Sequence, residues 1–231
     1  MKRVFLSMSI IGMLLISSLM PVQAATKTIY LTFDDGPSQN TPKILNILDQ
    51  YNVKATFFVT GNGGRYTQYI GEAYRRGHAI GAHTYSHSYA IYRSVSTYYA
   101  DLEKIENLIV AQTGARTDII RFPGGSSNAV SRHYKRHIMR TLTKSVIANG
   151  YQYFDWNVSS SDASGHRVAT KRIIRSAKSH LANIVLLMHD ASPKTTTVKA
   201  LPAIIAYYQA RGYTFATLTK TSIICHHHLN N

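Results

Sequence analysis

The segment Ile29-Tyr-Leu-Thr-Phe-Asp-Asp-Gly-Pro37 opens with five residues suited to a buried strand and ends on two carboxylates and a Gly-Pro turn. Two adjacent carboxylates after an apolar strand are costly to hold near an interior. A cation between them would offset that cost. On an extended backbone successive side chains point apart, so Asp34 and Asp35 are expected to serve different partners. A bare Asp-Asp-Gly otherwise reads as a turn with an Asx cap.

The same strand-then-turn pattern recurs along the chain. Apolar or β-branched runs predict strands at Ile29–Phe33, Ala55–Thr60, His78–Ala82, Ile119–Phe122, Tyr151–Trp156, Ile184–Met188 and Thr214–Leu218. Helical patterns lie between them. Thr41-Pro42 reads as an N-cap with proline at the first helical position, and Ser96–Val110 carries Leu102, Ile105, Leu108 and Ile109 on one side. Gly77, Gly114, Gly150 and Gly212 each close a helical stretch, as a left-handed residue after a helix does. Strands alternating with helices predict an α/β domain with a parallel sheet and right-handed crossovers. A closed or nearly closed barrel is the natural solution, with an open doubly wound sheet as the alternative.

Polar residues fall where such a barrel gathers its chemistry. Asp34 and Asp35 follow the first strand, His83 the third and His189 the sixth; Arg121 ends the fourth, and Asp162 lies just past the fifth. The C-terminal ends of parallel barrel strands open on one face, so residues scattered in sequence become one cluster in space. His83-Thr-Tyr-Ser-His87 places two histidines four apart, on one face if helical, which suits chelation of an ion. His133 and His137 repeat that spacing, but Arg132, Lys135 and Arg136 would repel a cation, and that segment reads as the middle of a surface helix.

Together, TFDDGP (32–37), HTYSH (83–87), RFPGG (121–125), DWNVSSSDA (155–163) and LLMHD (186–190) resemble the five ordered motifs of the polysaccharide deacetylases, carbohydrate esterase family four. The resemblance runs from Thr28 to Leu218. It implies a distorted seven-stranded (β/α) barrel in a single domain. It also implies hydrolysis of the N-acetyl amide of N-acetylglucosamine in peptidoglycan or chitin, or of O-acetyl xylan, with one divalent ion: zinc, or cobalt or manganese. Carried over, Asp34 resembles the general base, Asp35, His83 and His87 the metal ligands, and Arg121 the residue holding the base. The N–H of Gly124 resembles the oxyanion donor. Asp162 matches the residue that orients the general acid His189, and Leu187 the acetyl-pocket lining. Two positions depart from the family pattern. Gly124 stands where a tyrosine is frequent, and Ala163 where a tryptophan is frequent, which removes side-chain walls from the sugar groove.

Composition sets the remaining bounds. Of 231 residues, 45% are hydrophobic and 16% charged, which excludes a disordered chain. The single cysteine, Cys225, excludes an internal disulfide framework. Lys2-Arg3, the uncharged run Val4–Met20 and Pro21-Val-Gln-Ala24 read as a signal peptide spanning residues 1–24, cut after Ala24. An uncleaved anchor is the alternative. The expected organisation is then a deacetylase domain at 25–221, a loose patternless tail at 222–231, and a secreted or wall-associated location with no stable membrane span after processing. The net charge of +15, crowded into Arg132–Lys144 and Arg167–Lys178, fits anionic cell-wall polymers as partners. No nucleic-acid-binding signature is present. The glycan substrate would be peptidoglycan or chitooligosaccharide; an O-acetyl esterase and a non-catalytic wall-binding protein are the competing readings.

Overall fold

The computed structural model describes residues 27–230. The expected leader at residues 1–24 lies outside them.

The first strand, β1 (Thr28–Asp34), is the centre of the sheet. Around it run β2 (Thr56–Val59), β3 (Ala79–Ala82), β4 (Ile119–Ile120), β5 (Gln152–Tyr153), β6 (Val158–Ser159), β7 (Asn183–His189) and β8 (Thr214–Phe215). The order is β5-β4-β3-β2-β1-β7-β6, with β8 paired to the start of β1, and every pairing is parallel. The helices α1 (Thr41–Gln50), α2 (Tyr69–Arg75), α3 (Val95–Thr113), α4 (Ile138–Ala148), α5 (Thr170–Ser176) and α6 (Thr195–Gln209) fill the crossovers. This is the expected distorted (β/α) barrel in one domain, curled but open between the edge strands β5 and β6. The fifth predicted strand is shorter than expected, and β6, just beyond it, adds an eighth.

Alternation along β1 shows how the sequence divides the interior. Ile29, Leu31 and Phe33 face outward into the main core with Ile44, Leu45 and Leu48 of α1. Tyr30 faces inward, beside Phe58, Ile119, Phe154 and Val185. Each fully buried side chain of this size contributes roughly 1.5–3 kcal/mol. Above this inner apolar layer the inward positions turn polar: Thr32 and Asp34 on β1 meet Arg121 just after β4. The barrel is thus dry below and polar at the C-terminal strand ends.

All four expected helix-ending glycines have positive φ, from 70° to 89°. Three expectations differ from the structure. The residue preceding α1 is Asn40, and Thr41 turns its hydroxyl to Asp190 and the Ser38 N–H instead of capping the helix. His133 and His137 flank a break, the first ending a 3-10 turn (Val130–His133) and the second, with φ of 60°, preceding α4. The tail is packed rather than loose. Cys225 is buried with Leu218 in the inner layer, its carbonyl accepts from the Asp155 N–H at 2.8 Å, and His226 stacks on Tyr153 at 3.6 Å between centroids. Its short apolar elements have no period, so only the tertiary seat reveals their role.

Candidate active site

Each of the expected metal-ligating side chains sits on a loop that leaves a strand end. Asp35 follows β1 with φ of 73°, a left-handed conformation that breaks the extended alternation. Its carboxylate therefore turns to the same side as Asp34, contrary to the divergence expected of neighbours on a strand. His83 Nε2 lies 3.7 Å from both Asp34 Oδ2 and Asp35 Oδ1, and His87 Nε2 lies 3.2 Å from Asp35 Oδ1. The His83–His87 segment is not helical. Positive φ at Thr84 (64°) and His87 (52°) folds it back, bringing the two rings to 4.9 Å between centroids.

The donor atoms of Asp35, His83 and His87 all lie within 4.8 Å of one another. The surroundings of His83 suit a ligand role. A carbonyl can only accept, so His83 donates its Nδ1–H to the Arg121 carbonyl at 2.7 Å and presents an unprotonated Nε2. Burial holds the His83 imidazole below its ordinary range, in favour of the neutral ligand form. Two imidazoles and a carboxylate with open space beside them match a divalent hydrolytic site. A cavity of about 300 Å³ adjoins, lined by Asp35, His87, Thr60, Asn62 and Ser192 among others.

Arg121 is fully buried, and four of its five guanidinium N–H donors have partners. It donates to Asp34 Oδ1 at 2.8 Å and Thr32 Oγ1 at 2.7 Å, and to the carbonyls of Phe154 and Asp155 at 2.9 Å each. Its plane also lies over the Phe58 ring, 4.2 Å from the centroid. Asp34 is consequently held in place while Oδ2 faces the His83 side of the site.

Across the rim, β7 delivers His189, which is level with Asp34 in the parallel register. Its Nδ1 donates to Asp162 Oδ1 at 2.8 Å, and the other Asp162 oxygen accepts from the His189 N–H and the Thr197 hydroxyl. Burial alone would lower the His189 imidazole, but the hydrogen bond and charge of Asp162, with the charges of Asp34 and Asp35, raise it overall. Burial would raise Asp162, and its bonds to His189 and Thr197 outweigh that and lower it. The arrangement favours a charged pair with Nε2–H free to donate. Leu187, two residues back on the same strand face, is buried. Gly124 is exposed, with φ of 76°, and none of the described residues accepts from its N–H.

Several supporting residues were not singled out from sequence. Asp155 is buried and accepts from the Ser126 N–H and hydroxyl and from the His227 N–H, tying the loop after Gly124 to the tail. Asp190 accepts from Ser38 and Thr41 and sits where a side chain on Gly36 would collide, 2.5 Å from an ideal Cβ. Both stand within the quoted motifs, but nothing in their spacing marks the partner. Trp156 is half-buried and meets His227 edge-on.

The arrangement has close parallels. The chain is 44% identical to the catalytic domain of a peptidoglycan N-acetylglucosamine deacetylase from Eubacterium rectale, with a TM-score of 0.85 over 92% of this chain and 100% of that one. It is 30% identical over 206 residues to a peptidoglycan-N-acetylglucosamine deacetylase of Bacillus cereus, covering 85% of this chain and 71% of the relative. It is also 30% identical over 211 residues to YheN of Bacillus subtilis, covering 87% and 70%. The profile of the polysaccharide deacetylases matches residues 22–142, which carry the carboxylate pair, the histidine pair and the buried arginine. With the second half of the site on the same barrel rim, the chain belongs to the polysaccharide deacetylase family.

Proposed function

We propose that this protein is an exported, metal-dependent hydrolase that removes the acetyl group from N-acetylglucosamine units of peptidoglycan, releasing acetate. The observation that carries this reading is the convergence of Asp35, His83 and His87 beside an arginine-held Asp34, with the Asp162–His189 pair on the same rim. Members of the family are metal-dependent in general, and Asp35, His83 and His87 are the residues that would hold the ion. A bound divalent ion, zinc in this reading, supplies Lewis-acid polarisation of the acetyl carbonyl and makes water more acidic.

The chain's own groups do the rest. Asp34 takes the proton of the attacking water, and Arg121 keeps its carboxylate from swinging away. The N–H of Gly124 receives the developing oxyanion; such a donor is worth about 10²–10³ in kcat. His189 then delivers a proton from Nε2 to the nitrogen as the C–N bond breaks, so that a neutral amine leaves rather than an amide anion, which is a very poor leaving group. Asp162 sets the ring's orientation and stabilises its charged form. Leu187 shapes the floor for the acetyl methyl. The exposed cations Arg132, Arg136 and Arg140 line a second cavity of about 470 Å³ and favour binding to phosphate-bearing wall polymers.

The test is acetate release by the purified protein from peptidoglycan, chitooligosaccharide and acetylated xylan, before and after chelation and zinc readdition. Amide turnover on glycan strands, abolished by chelation and restored by zinc, is expected. Turnover of the xylan ester alone would replace this reading with an O-acetyl esterase. Full activity after exhaustive chelation would refute the metal assignment.

A further inference from the structure

Gly124 leaves room that another residue fills. An ideal Cβ at this position would lie 2.5 Å from the Tyr89 hydroxyl oxygen and 3.3 Å from a ring carbon of Tyr89. The volume that a side chain at residue 124 would occupy is therefore taken by a phenol from another part of the chain. Tyr89 opens the 3-10 turn Tyr89–Arg93, directly after the histidine loop. It is half-buried, and its hydroxyl makes no hydrogen bond among the described residues. Burial, and then the charge of Asp35, raise the phenol above its ordinary range, so it remains a donor.

The same turn carries Tyr92, which is fully buried and donates to the Pro123 carbonyl at 2.8 Å. That carbonyl and the Gly124 N–H belong to one trans peptide plane and point in opposite directions. A donor fixed on the carbonyl end aims the N–H at the other. Neighbouring groups close the remaining freedom of the loop. The Gly125 N–H donates to the Phe122 carbonyl at 2.8 Å, and Asn128 Nδ2 donates to the Gly125 carbonyl at 2.8 Å. Tyr92 is in turn stacked on Tyr98, 6.4 Å between centroids with rings 10° from parallel. The ring that aims the peptide is thus wedged in the core.

We infer that the turn at Tyr89–Arg93 completes the oxyanion side of the site: Tyr92 is a positioning residue for the Gly124 N–H, and Tyr89 supplies the aromatic groove wall that Gly124 lacks. This rests on the reading of Gly124 as the oxyanion donor. A glycine at 124 accepts the left-handed φ without strain, and the wall it cannot provide comes from a turn already anchored to the same loop.

Four single variants and one double variant test this, with kcat and KM measured on one N-acetylated oligosaccharide. Tyr92→Phe removes only the hydroxyl. It is expected to lower kcat about tenfold to a hundredfold, short of the loss on deleting an oxyanion donor outright, with KM within twofold. Tyr89→Ala is expected to raise KM several-fold, and Tyr89→Phe to restore most of it. Replacing the Gly124 residue by glycolate, through suppression with the hydroxy acid, deletes the N–H and leaves the backbone atoms otherwise in place. If that ester leaves kcat unchanged, the reading of Gly124 fails whatever the tyrosines do. If the ester lowers kcat but Tyr92→Phe does not, the positioning role alone is overturned. In the ester background Tyr92→Phe should have no further effect, because two changes acting through one group are not additive; a full additional loss would show that Tyr92 acts elsewhere. An unchanged KM in Tyr89→Ala would overturn the wall.

Discussion

At the scale of single residues, the site depends on charges that are buried but never left alone. Arg121 and Asp34 form one such pair, with exposures of 0% and 4% at 2.8 Å. Removing one partner of a buried pair strands the other and costs about 3–5 kcal/mol. Arg121→Leu is expected to lose stability of that order in urea unfolding, in addition to activity, because the carbonyls of Phe154 and Asp155 also lose their donor. A change below 1 kcal/mol would mean that solvent reaches Asp34 more freely than its burial implies. The Asp162–His189 pair makes a prediction about pH. Asp162 is lowered from 3.8, so its contribution to stability is present above that value and lost as pH falls through the lowered one. His189 is raised from 6.5, so its contribution is present below 6.5 and lost as pH rises through the raised value. The pair therefore stabilises most between about 3.8 and 6.5. As the general acid of the proposed mechanism His189 must be protonated, so the alkaline limb of the rate profile should lie above 6.5. Asp162→Asn removes the charge that raises it, and should move that limb toward acid and lower the maximal rate at least tenfold. An unmoved limb would show that another group titrates there.

At the scale of elements, the sequence announces what periodicity and glycine control, and conceals what tertiary contacts decide. The alternation of Ile29, Leu31 and Phe33 against Tyr30 and Thr32, and the glycines after the helices, are local signals, and the strands and helix ends follow them. The ligand cluster was legible as a set of residues but not as a geometry. Positive φ at Asp35, Thr84 and His87 carries no compositional mark, because these are not glycines. The diversion of Thr41 from its capping role is hidden for the same reason: its partner, Asp190, is 149 residues away. That contact ties the loop bearing Asp35 to the end of β7. Burial pushes the Asp190 carboxyl up to about 8, with its bonds to Thr41 and Ser38 opposing the shift. An acid with a raised folded value holds a proton that the unfolded chain has released, so its contribution to stability declines as pH rises from about 3.8 to about 8. Asp190→Asn has no such proton. Its stability relative to the parent should therefore improve steadily between pH 5 and pH 8 in urea titrations, and a constant difference would show that Asp190 is ionised throughout.

At the scale of the whole molecule, the parallel sheet leaves a seam where β5 and β6 are edges, and the C-terminal tail is what fills it. Ile223 and Cys225 pack under the inner layer with Tyr30, Phe58 and Leu218. The Cys225 carbonyl takes the Asp155 N–H, which lies in the bend between the two edge strands. His227 donates its N–H to Asp155 and its Nε2–H to the Trp156 carbonyl at 2.7 Å, and Asn230 Nδ2 donates to the Ser127 carbonyl at 2.9 Å. Asp155 in turn holds the Ser126 N–H, two residues from Gly124. A chain of contacts thus runs from the tail through the seam to the loop that holds Gly124. Ending the chain after Ser222 would expose the inner layer and leave the buried Asp155 N–H without its acceptor, an orphan worth about 1–3 kcal/mol by itself. The truncated protein is expected to melt roughly 5–15 °C lower, at about 2–4 °C per kcal/mol for a domain of this size. Its kcat should fall more than its affinity for glycan, since the loop it frees holds Gly124, the oxyanion donor of the proposed mechanism, while Asp35, His83 and His87 sit on the loops after β1 and β3. A truncated chain that melted with the parent would make the tail an ornament; one that lost stability but kept its full kcat would sever the seam from the site.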